Sequence, residues 1–169
     1  CLASAAVGSL REDWDKGTFV VCSDFLDLTG RRLTLFDRAV VHRDFTHPFP
    51  ARSALLDAAG EIGEAVQDGG VYVGGDGPRY ETPQEIRTMR LLGGDIVGMT
   101  ASSEAILFRE ALVPYACLAV VTNLACGLAP GKLDHLDVVD AMDARGDAAV
   151  AILLKAAEHL ARTNGLRSG

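Results

Sequence analysis

The run at residues 115–122, YACLAVVT, constrains the fold more than any other stretch of the sequence. It is almost continuously apolar and rich in β-branched residues, which is typical of a strand covered on both faces. Such a strand lies inside a mostly parallel sheet that carries helices on either side. Shorter runs predict further strands, at residues 1–7, 18–22, 71–73 and 95–99.

Helical patterns alternate with these strands. Apolar residues near a 3.6-residue period predict helices over residues 52–66, 83–92, 102–113 and 134–162. The second begins with Thr82 and Pro83 ahead of Glu85, typical of an N-cap and an acidic first turn. The last is expected to break or kink near Gly146. The alternation predicts an α/β fold: a single domain over residues 1–169, with a mixed, largely parallel central sheet flanked by helices.

Composition narrows the classes of function. A net charge of −7 argues against binding nucleic acid or an anionic membrane through bulk charge. Every apolar run is shorter than the roughly 18 residues of a membrane-spanning helix. The four cysteines have no CxxC or Cys/His spacing, so we expect reduced thiols and no metal site. These features favour a cytoplasmic enzyme or binding protein.

Several residues that suit ligand binding follow the predicted strands. They are Tyr80 and Glu81 in the turn after residue 73, Gly98, Met99 and Thr100, then Asn123, and the small residues of segment 5–10. If these strand ends lie at one edge of the sheet, they form a single pocket. Its aromatic ring, carboxylate, amide, hydroxyl and backbone N–H groups suit a nucleobase and an anion. The alternative interpretations are a plain tight turn for segment 5–10 and a carboxylate that only supports a helix N-terminus for Glu81.

Four segments, in order, resemble the trimeric purine nucleoside phosphorylase and methylthioadenosine phosphorylase family. They are AVGSL at 6–10, GPRYETPQEI at 77–86, GGDIVGMT at 93–100 and TN at 122–123. The resemblance covers nearly the whole chain but begins partway into the family's domain. It implies the C-terminal two-thirds of such an enzyme, N-terminally incomplete and without the family's phosphate loop.

The resemblance assigns roles around the base. Tyr80 takes the position of the aromatic residue that stacks on the purine. Glu81 takes that of an ionised carboxylate that accepts a hydrogen bond from N1–H. Asn123 matches the residue that serves O6 and N7 of a 6-oxopurine, whereas family members acting on 6-aminopurines have aspartate there.

Further roles concern phosphate and the sugar. The backbone N–H of Ala6 and the hydroxyl of Thr100 match phosphate ligands, although Ala5 stands where the family usually has threonine or asparagine. Gly98 and Met99 belong to the substrate-binding set, with Met99 under the ribose. Two further matches are His135, at the ribose 5′-hydroxyl, and Phe45 or, less closely, His42, which the family lends across a subunit interface to cover the sugar.

The implied function is phosphorolysis of inosine or guanosine to free base and ribose 1-phosphate. Inorganic phosphate is then the co-substrate, no cofactor is needed and the assembly is a homotrimer. One alternative is the same fold acting on 5′-methylthioadenosine or 5′-methylthioinosine. A second is an inactive relative or fragment that only binds a base.

Overall fold

The computed structural model describes residues 1–129 and 135–163, except for the side chains of residues 135–137 and 163. Its elements are β1 (Leu2–Ser9), β2 (Phe19–Val21), β3 (Asp24–Asp27), α1 (Arg52–Ile62), β4 (Val66–Asp68), β5 (Val71–Gly74), α2 (Pro83–Leu91), β6 (Ile96–Gly98), α3 (Ala101–Glu110), β7 (Ala116–Leu124) and α4 (His135–Thr163). In the described part, the strands form a sheet in the order β3-β5-β6-β1-β7-β2-β4.

Most neighbouring strands of this sheet are parallel. The parallel pairs are β3–β5, β5–β6, β1–β7 and β2–β4, and the antiparallel pairs are β1–β6 and β2–β7. The predicted α/β class, with a mixed and largely parallel sheet flanked by helices, is therefore confirmed.

Strand β7 is buried at every position from Ala116 to Thr122, as its apolar sequence predicts. Its alternate side chains belong to two different cores, because successive residues of a strand face opposite sides of the sheet. Cys117, Ala119 and Val121 pack with aromatic residues such as Tyr115. Those at 116, 118 and 120 pack against helices α1 and α4 on the other face.

Helix α1 ends earlier than its apolar period predicts. The chain leaves the helix at Gly63, which has a left-handed φ of 74°, and Val66 begins strand β4 beside Phe19. The predicted extension to residue 66 is wrong because Val66 fits the helical period and also pairs well in a parallel strand.

Two other predicted helices have different bounds. α3 ends at Glu110, and Leu112 then adopts a φ of 59°, so the helix does not continue to residue 113. α4 runs without interruption from His135 to Thr163, so the predicted break at Gly146 is wrong. A Cβ at Gly146 would have no neighbouring atom within 4 Å. No close packing against Gly146 therefore forces the helix to break there.

Residues 28–51, all of them described, contain no helix or strand. The segment is attached to the end of α3. Leu35 N–H donates to the Glu110 carboxylate over 2.6 Å, and the Arg109 guanidinium donates to the Asp44 carbonyl over 2.7 Å.

Within residues 1–129 and 135–163, no helix combines the length and apolar character needed to cross a membrane.

Candidate purine site

A cleft of about 430 Å³ opens where β6 ends against the middle of β1. It brings together seven of the predicted site residues: Ala6, Tyr80, Glu81, Gly98, Met99, Thr100 and Asn123. The remaining lining residues are Ser4, Ala5, Val7, Gly8, Pro78, Val97, Thr122, Ala125, Cys126 and Val138.

The strand ends meet in a different way from the single edge of the sheet that the sequence suggested. β1 and β6 run antiparallel, with Gly8 opposite Val97 and Ser9 opposite Ile96. Segment 5–10 is therefore strand up to Ser9, and the alternative interpretation of it as a plain tight turn is wrong. β6 stops at Gly98, so the cleft lies beyond the end of this short ladder.

The direction of the β1 backbone suits an anion in the cleft. Leu10 N–H donates to the Asp95 carbonyl on the β6 side, over 2.9 Å. Because N–H groups alternate along a strand, those of Gly8 and Ala6 point to the same side. The N–H of Ala6 lies past the last β1–β6 pair and is therefore directed towards the cleft.

A β-bulge in β7 turns Asn123 into the cleft. Val7 is opposite Val121 and Gly8 is opposite Asn123, so Thr122 is an extra residue in the ladder. The extra residue reverses the alternation of side chains and often does so next to a binding site. Asn123 therefore shares a face with Gly8 rather than with Val121.

The Asn123 amide is held at both ends. Its Oδ1 accepts a hydrogen bond from the Thr122 hydroxyl over 2.9 Å, and its Nδ2 donates to the Leu124 carbonyl over 2.9 Å. Gly8 leaves room for it, since a Cβ there would lie 3.3 Å from Nδ2.

The loop before α2 places Tyr80 and Glu81 at the other wall of the cleft. Thr82 caps the helix: its hydroxyl accepts from Glu85 N–H, and the Glu85 carboxylate accepts from Thr82 N–H. Arg79 also forms a two-point contact with that carboxylate, with both N–O distances at 2.8 Å. These partners lower the pKa of Glu85 to about 2.

Glu81 has a different environment although it is only four residues away. Its pKa is raised, chiefly because it is half-buried and also because Glu85 is negatively charged, while its own backbone N–H and Arg79 oppose the shift. Glu85 is thus a structural carboxylate, and Glu81 is the one available to a ligand in the cleft.

The raised pKa of Glu81 predicts a pH dependence. If the cleft binds a 6-oxopurine, as the family resemblance implies, the ionised carboxylate accepts a charge-assisted hydrogen bond from N1–H, and the protonated acid accepts only a weaker one. Hypoxanthine affinity should then fall as the pH drops through this pKa. The fall should begin at a higher pH than for an exposed glutamate, whose pKa is about 4.3. Calorimetric titration with hypoxanthine between about pH 4 and about pH 7 measures it; an unchanged affinity across this range would contradict the role of Glu81.

Tyr72 supports the floor of the cleft from below. It is fully buried, and its hydroxyl accepts hydrogen bonds from the N–H groups of Thr100 over 3.0 Å and Ala101 over 3.3 Å. Burial raises the pKa of Tyr72. A Cβ at Gly98 would lie 2.8 Å from Cζ of Tyr72 and closer still to its oxygen. Glycine at position 98 therefore lets the tyrosine hold the start of α3.

Gly98→Ala should lower the free energy of unfolding by about 1–3 kcal/mol, because the buried Tyr72 ring must shift. Gly60→Ala is the matched control. Gly60 lies in α1, where a Cβ meets nothing within 4 Å, so this change should raise stability by about 0.5–1 kcal/mol. Urea unfolding measures both, and equal effects at the two positions would contradict the close contact at Gly98.

Comparison with known proteins places this geometry in a family. The model of the phosphorylase superfamily matches residues 2–158. The chain belongs to the phosphorylase superfamily. Among relatives of known name, the 6-oxopurine nucleoside phosphorylase of Pyrococcus furiosus is 41% identical over 166 residues, which make up 92% of this chain and 63% of the relative.

Other relatives in the superfamily differ in the substrate that they are named for. A probable S-methyl-5′-thioinosine phosphorylase of Methanopyrus kandleri is 42% identical over 94% of this chain and 64% of its own length. A solved methylthioadenosine phosphorylase from Schistosoma mansoni, in complex with adenine, superposes with a TM-score of 0.89 at 30% identity. That match covers 99% of this chain and 65% of the solved one. This chain therefore spans slightly less than two thirds of the length of each of these relatives.

Two predicted residues, Phe45 and His42, are not among the described residues that line the cleft. Phe45 packs edge-on against Phe25, with ring centroids 5.9 Å apart, and His42 is exposed. The side chain of His135 lies outside the described residues. The sugar contacts assigned to these three residues therefore stay predictions.

Two other residues of the cleft were not predicted from the sequence. Ser4 and Cys126 both line the cleft, and burial together with the Glu81 charge raises the pKa of the Cys126 thiol. Ser4 could have been predicted, because it lies two residues before the predicted phosphate ligand Ala6 and alternate residues of a strand share a face. Cys126 could not, because it follows β7 in an irregular turn.

Proposed function

We propose that this protein phosphorolyses 6-oxopurine nucleosides, inosine or guanosine, to the free base and ribose 1-phosphate. The observation that carries the proposal is the presence of Glu81 and Asn123 in one cleft. A carboxylate and an amide together match the hydrogen-bonding edge of a 6-oxopurine. The names of several relatives, including the Pyrococcus furiosus enzyme, support the same substrate class.

The fit of the two side chains depends on the hydrogen-bond donors and acceptors along one edge of the base. A 6-oxopurine offers a donor at N1–H and acceptors at O6 and N7, whereas a 6-aminopurine offers an acceptor at N1 and a donor at N6. Ionised Glu81 only accepts hydrogen bonds, and the Asn123 amide both donates and accepts. Hypoxanthine and guanine therefore satisfy both side chains, and adenine leaves Glu81 facing another acceptor.

The rest of the cleft positions the base and the sugar. Tyr80, with 38% of its surface exposed, offers a ring face for stacking. Met99 packs against Gly77, where a Cβ would overlap its sulfur, and so remains beside the loop that carries Tyr80. In the proposed complex the base lies against Tyr80 and the ribose lies over Met99.

Phosphate is proposed to bind at the other end of the cleft. Its ligands are the Ala6 N–H and the hydroxyl of Thr100, which is exposed in the cleft and makes no cap hydrogen bond to α3. Ala5 also lines the cleft, and its methyl group, buried in the core with Val7, offers the anion no hydrogen bond.

In the proposed reaction, a phosphate oxygen forms a bond to C1′ as the C1′–N9 bond breaks, and the electron pair of that bond passes to the purine. Positive charge develops on the sugar and negative charge on the base, so both must be stabilised. Phosphate stabilises the sugar. The free N–H of the Asn123 amide, shared between O6 and N7, stabilises the base, and Glu81 and Tyr80 hold the base in line.

Two alternatives retain support. A 5′-methylthioinosine phosphorylase would use the same base contacts, and relatives 40–43% identical carry that name. A protein that binds the base without catalysing its release is the second alternative.

A homotrimer is proposed with this function. In such an assembly, residues 28–51 would reach the neighbouring cleft and bring Phe45 or His42 to its sugar. The exposed Leu35 and Val40 in this segment, at 55% and 75% of their surface, favour a contact between subunits. The cytoplasmic location and the absence of a cofactor stay predictions.

The reaction is tested by incubating the protein with inosine, with and without phosphate, and measuring hypoxanthine and ribose 1-phosphate. We expect both products in equal amounts and only when phosphate is present. S-methyl-5′-thioinosine is assayed in parallel; if it is cleaved far faster than inosine, the alternative substrate is correct. Hypoxanthine binding without release of base from either nucleoside would support the non-catalytic alternative.

A further inference from the structure

The bulge that turns Asn123 into the cleft also buries a hydroxyl beside its amide. Thr122 has only 1% of its surface exposed. Its Oγ1 lies 2.9 Å from Oδ1 of Asn123 and 3.2 Å from the Val7 carbonyl. A hydroxyl has one proton to donate, so Thr122 can serve one of these two acceptors at a time.

The contacts at the two ends of the amide favour one orientation. With Oδ1 towards Thr122, the hydroxyl donates to Oδ1, and Nδ2 donates to the Leu124 carbonyl over 2.9 Å. If the amide were turned over, Oδ1 would lie against the Leu124 carbonyl, and two acceptors would face each other. Thr122 and the Leu124 carbonyl therefore act together on the same amide.

This orientation determines what the base meets. One N–H of Nδ2 is used by the Leu124 carbonyl, and its second N–H is left as a donor. A donor suits the O6 of a 6-oxopurine and opposes the N6 amino group of a 6-aminopurine. The reversed amide would present an acceptor at the same place and would suit the amino group.

We propose that Thr122 is a positioning residue that sets the base specificity of the cleft by fixing which end of the Asn123 amide faces the purine. The inference rests on the proposed function, because it takes the cleft to be a purine site. It adds a determinant of specificity that makes no contact with the 6-position itself and acts through Asn123.

The test is calorimetric binding of hypoxanthine and of adenine to the protein and to variants at Thr122. Thr122→Val keeps the β-branched shape and removes the hydroxyl. Its ratio of hypoxanthine to adenine affinity should fall about fivefold, which is the size of one neutral hydrogen bond. Thr122→Ser keeps the hydroxyl and should keep the ratio. General damage to the fold would weaken both bases together and leave the ratio unchanged.

A wild-type ratio in Thr122→Val would overturn the proposal, as would an equal loss in Thr122→Ser. Thr122→Ala removes the hydroxyl without placing a methyl group next to the Val7 carbonyl. It must show the same fall in the ratio, and this keeps the test decisive if the valine variant does not fold.

The proposed reaction is tested separately from this inference. If the unaltered protein binds hypoxanthine and releases no base from inosine or methylthioinosine, the reaction is wrong while the binding ratios still test Thr122. If the unaltered protein binds neither base, the purine site is wrong and the role of Thr122 falls with it.

Discussion

Asn123→Asp should move the base preference of the cleft from hypoxanthine towards adenine. A carboxylate at this position can accept a hydrogen bond from the N6 amino group but repels O6, so the donor for the 6-oxopurine is lost. The burial that already raises the pKa of Glu81 should act together with the new negative charge to favour protonated Glu81. A protonated Glu81 can donate to the N1 of adenine.

The expected change in the ratio of hypoxanthine to adenine affinity is about 100-fold, because a mismatched buried polar group loses its partner as well as its hydrogen bond. Gln67→Glu is the matched control. It adds the same charge on exposed β4, at the edge of the sheet, and should leave the ratio unchanged. If Asn123→Asp binds the two bases with the wild-type ratio, Asn123 does not contact the 6-position.

Glu81→Gln should weaken hypoxanthine binding by about 10- to 100-fold. The ionised carboxylate forms a charge-assisted hydrogen bond with N1–H, and such bonds are worth roughly 1.5–3 kcal/mol. A glutamine can still accept at its oxygen, but it has no charge, and its amino end opposes N1–H. The loss should also remove the pH dependence predicted for the wild-type protein, and calorimetric titration measures both effects.

Glu85→Gln is the control for this substitution, since it makes the same change of charge four residues along the chain. Glutamine can still complete the capping box of α2, although it loses the ion pair with Arg79. We expect hypoxanthine binding close to wild type. If Glu85→Gln weakens binding as much as Glu81→Gln does, the charge of the loop rather than a contact from Glu81 controls affinity.

The main elements of this fold could be predicted from the sequence because their signals are local. The apolar run of β7 and the Thr82 cap of α2 each specify an element within a few residues. Val66 shows the limit of such reasoning. It fits a helical period, and only pairing with distant Phe19 makes it part of a strand.

The residues of the candidate site could be predicted from the sequence, but their arrangement in space could not. Tyr80, Glu81, Met99 and Asn123 were identified from strand ends and from family resemblance, and they line one cleft. The sequence shows neither the antiparallel β1–β6 pair nor the bulge at Thr122. Both depend on how strands far apart in the chain pair with each other, which no local pattern encodes.

The most direct test of the central claim is a crystal structure of the protein with hypoxanthine and phosphate. The account predicts the base against Tyr80, N1 at the Glu81 carboxylate, O6 and N7 at the Asn123 amide, and phosphate at Ala6 N–H and Thr100. A second cavity of about 350 Å³ lies behind the same loop, between Asp76, Arg79 and Glu85. Hypoxanthine in that second cavity, or anywhere else outside the β1–β6 cleft, would contradict the account.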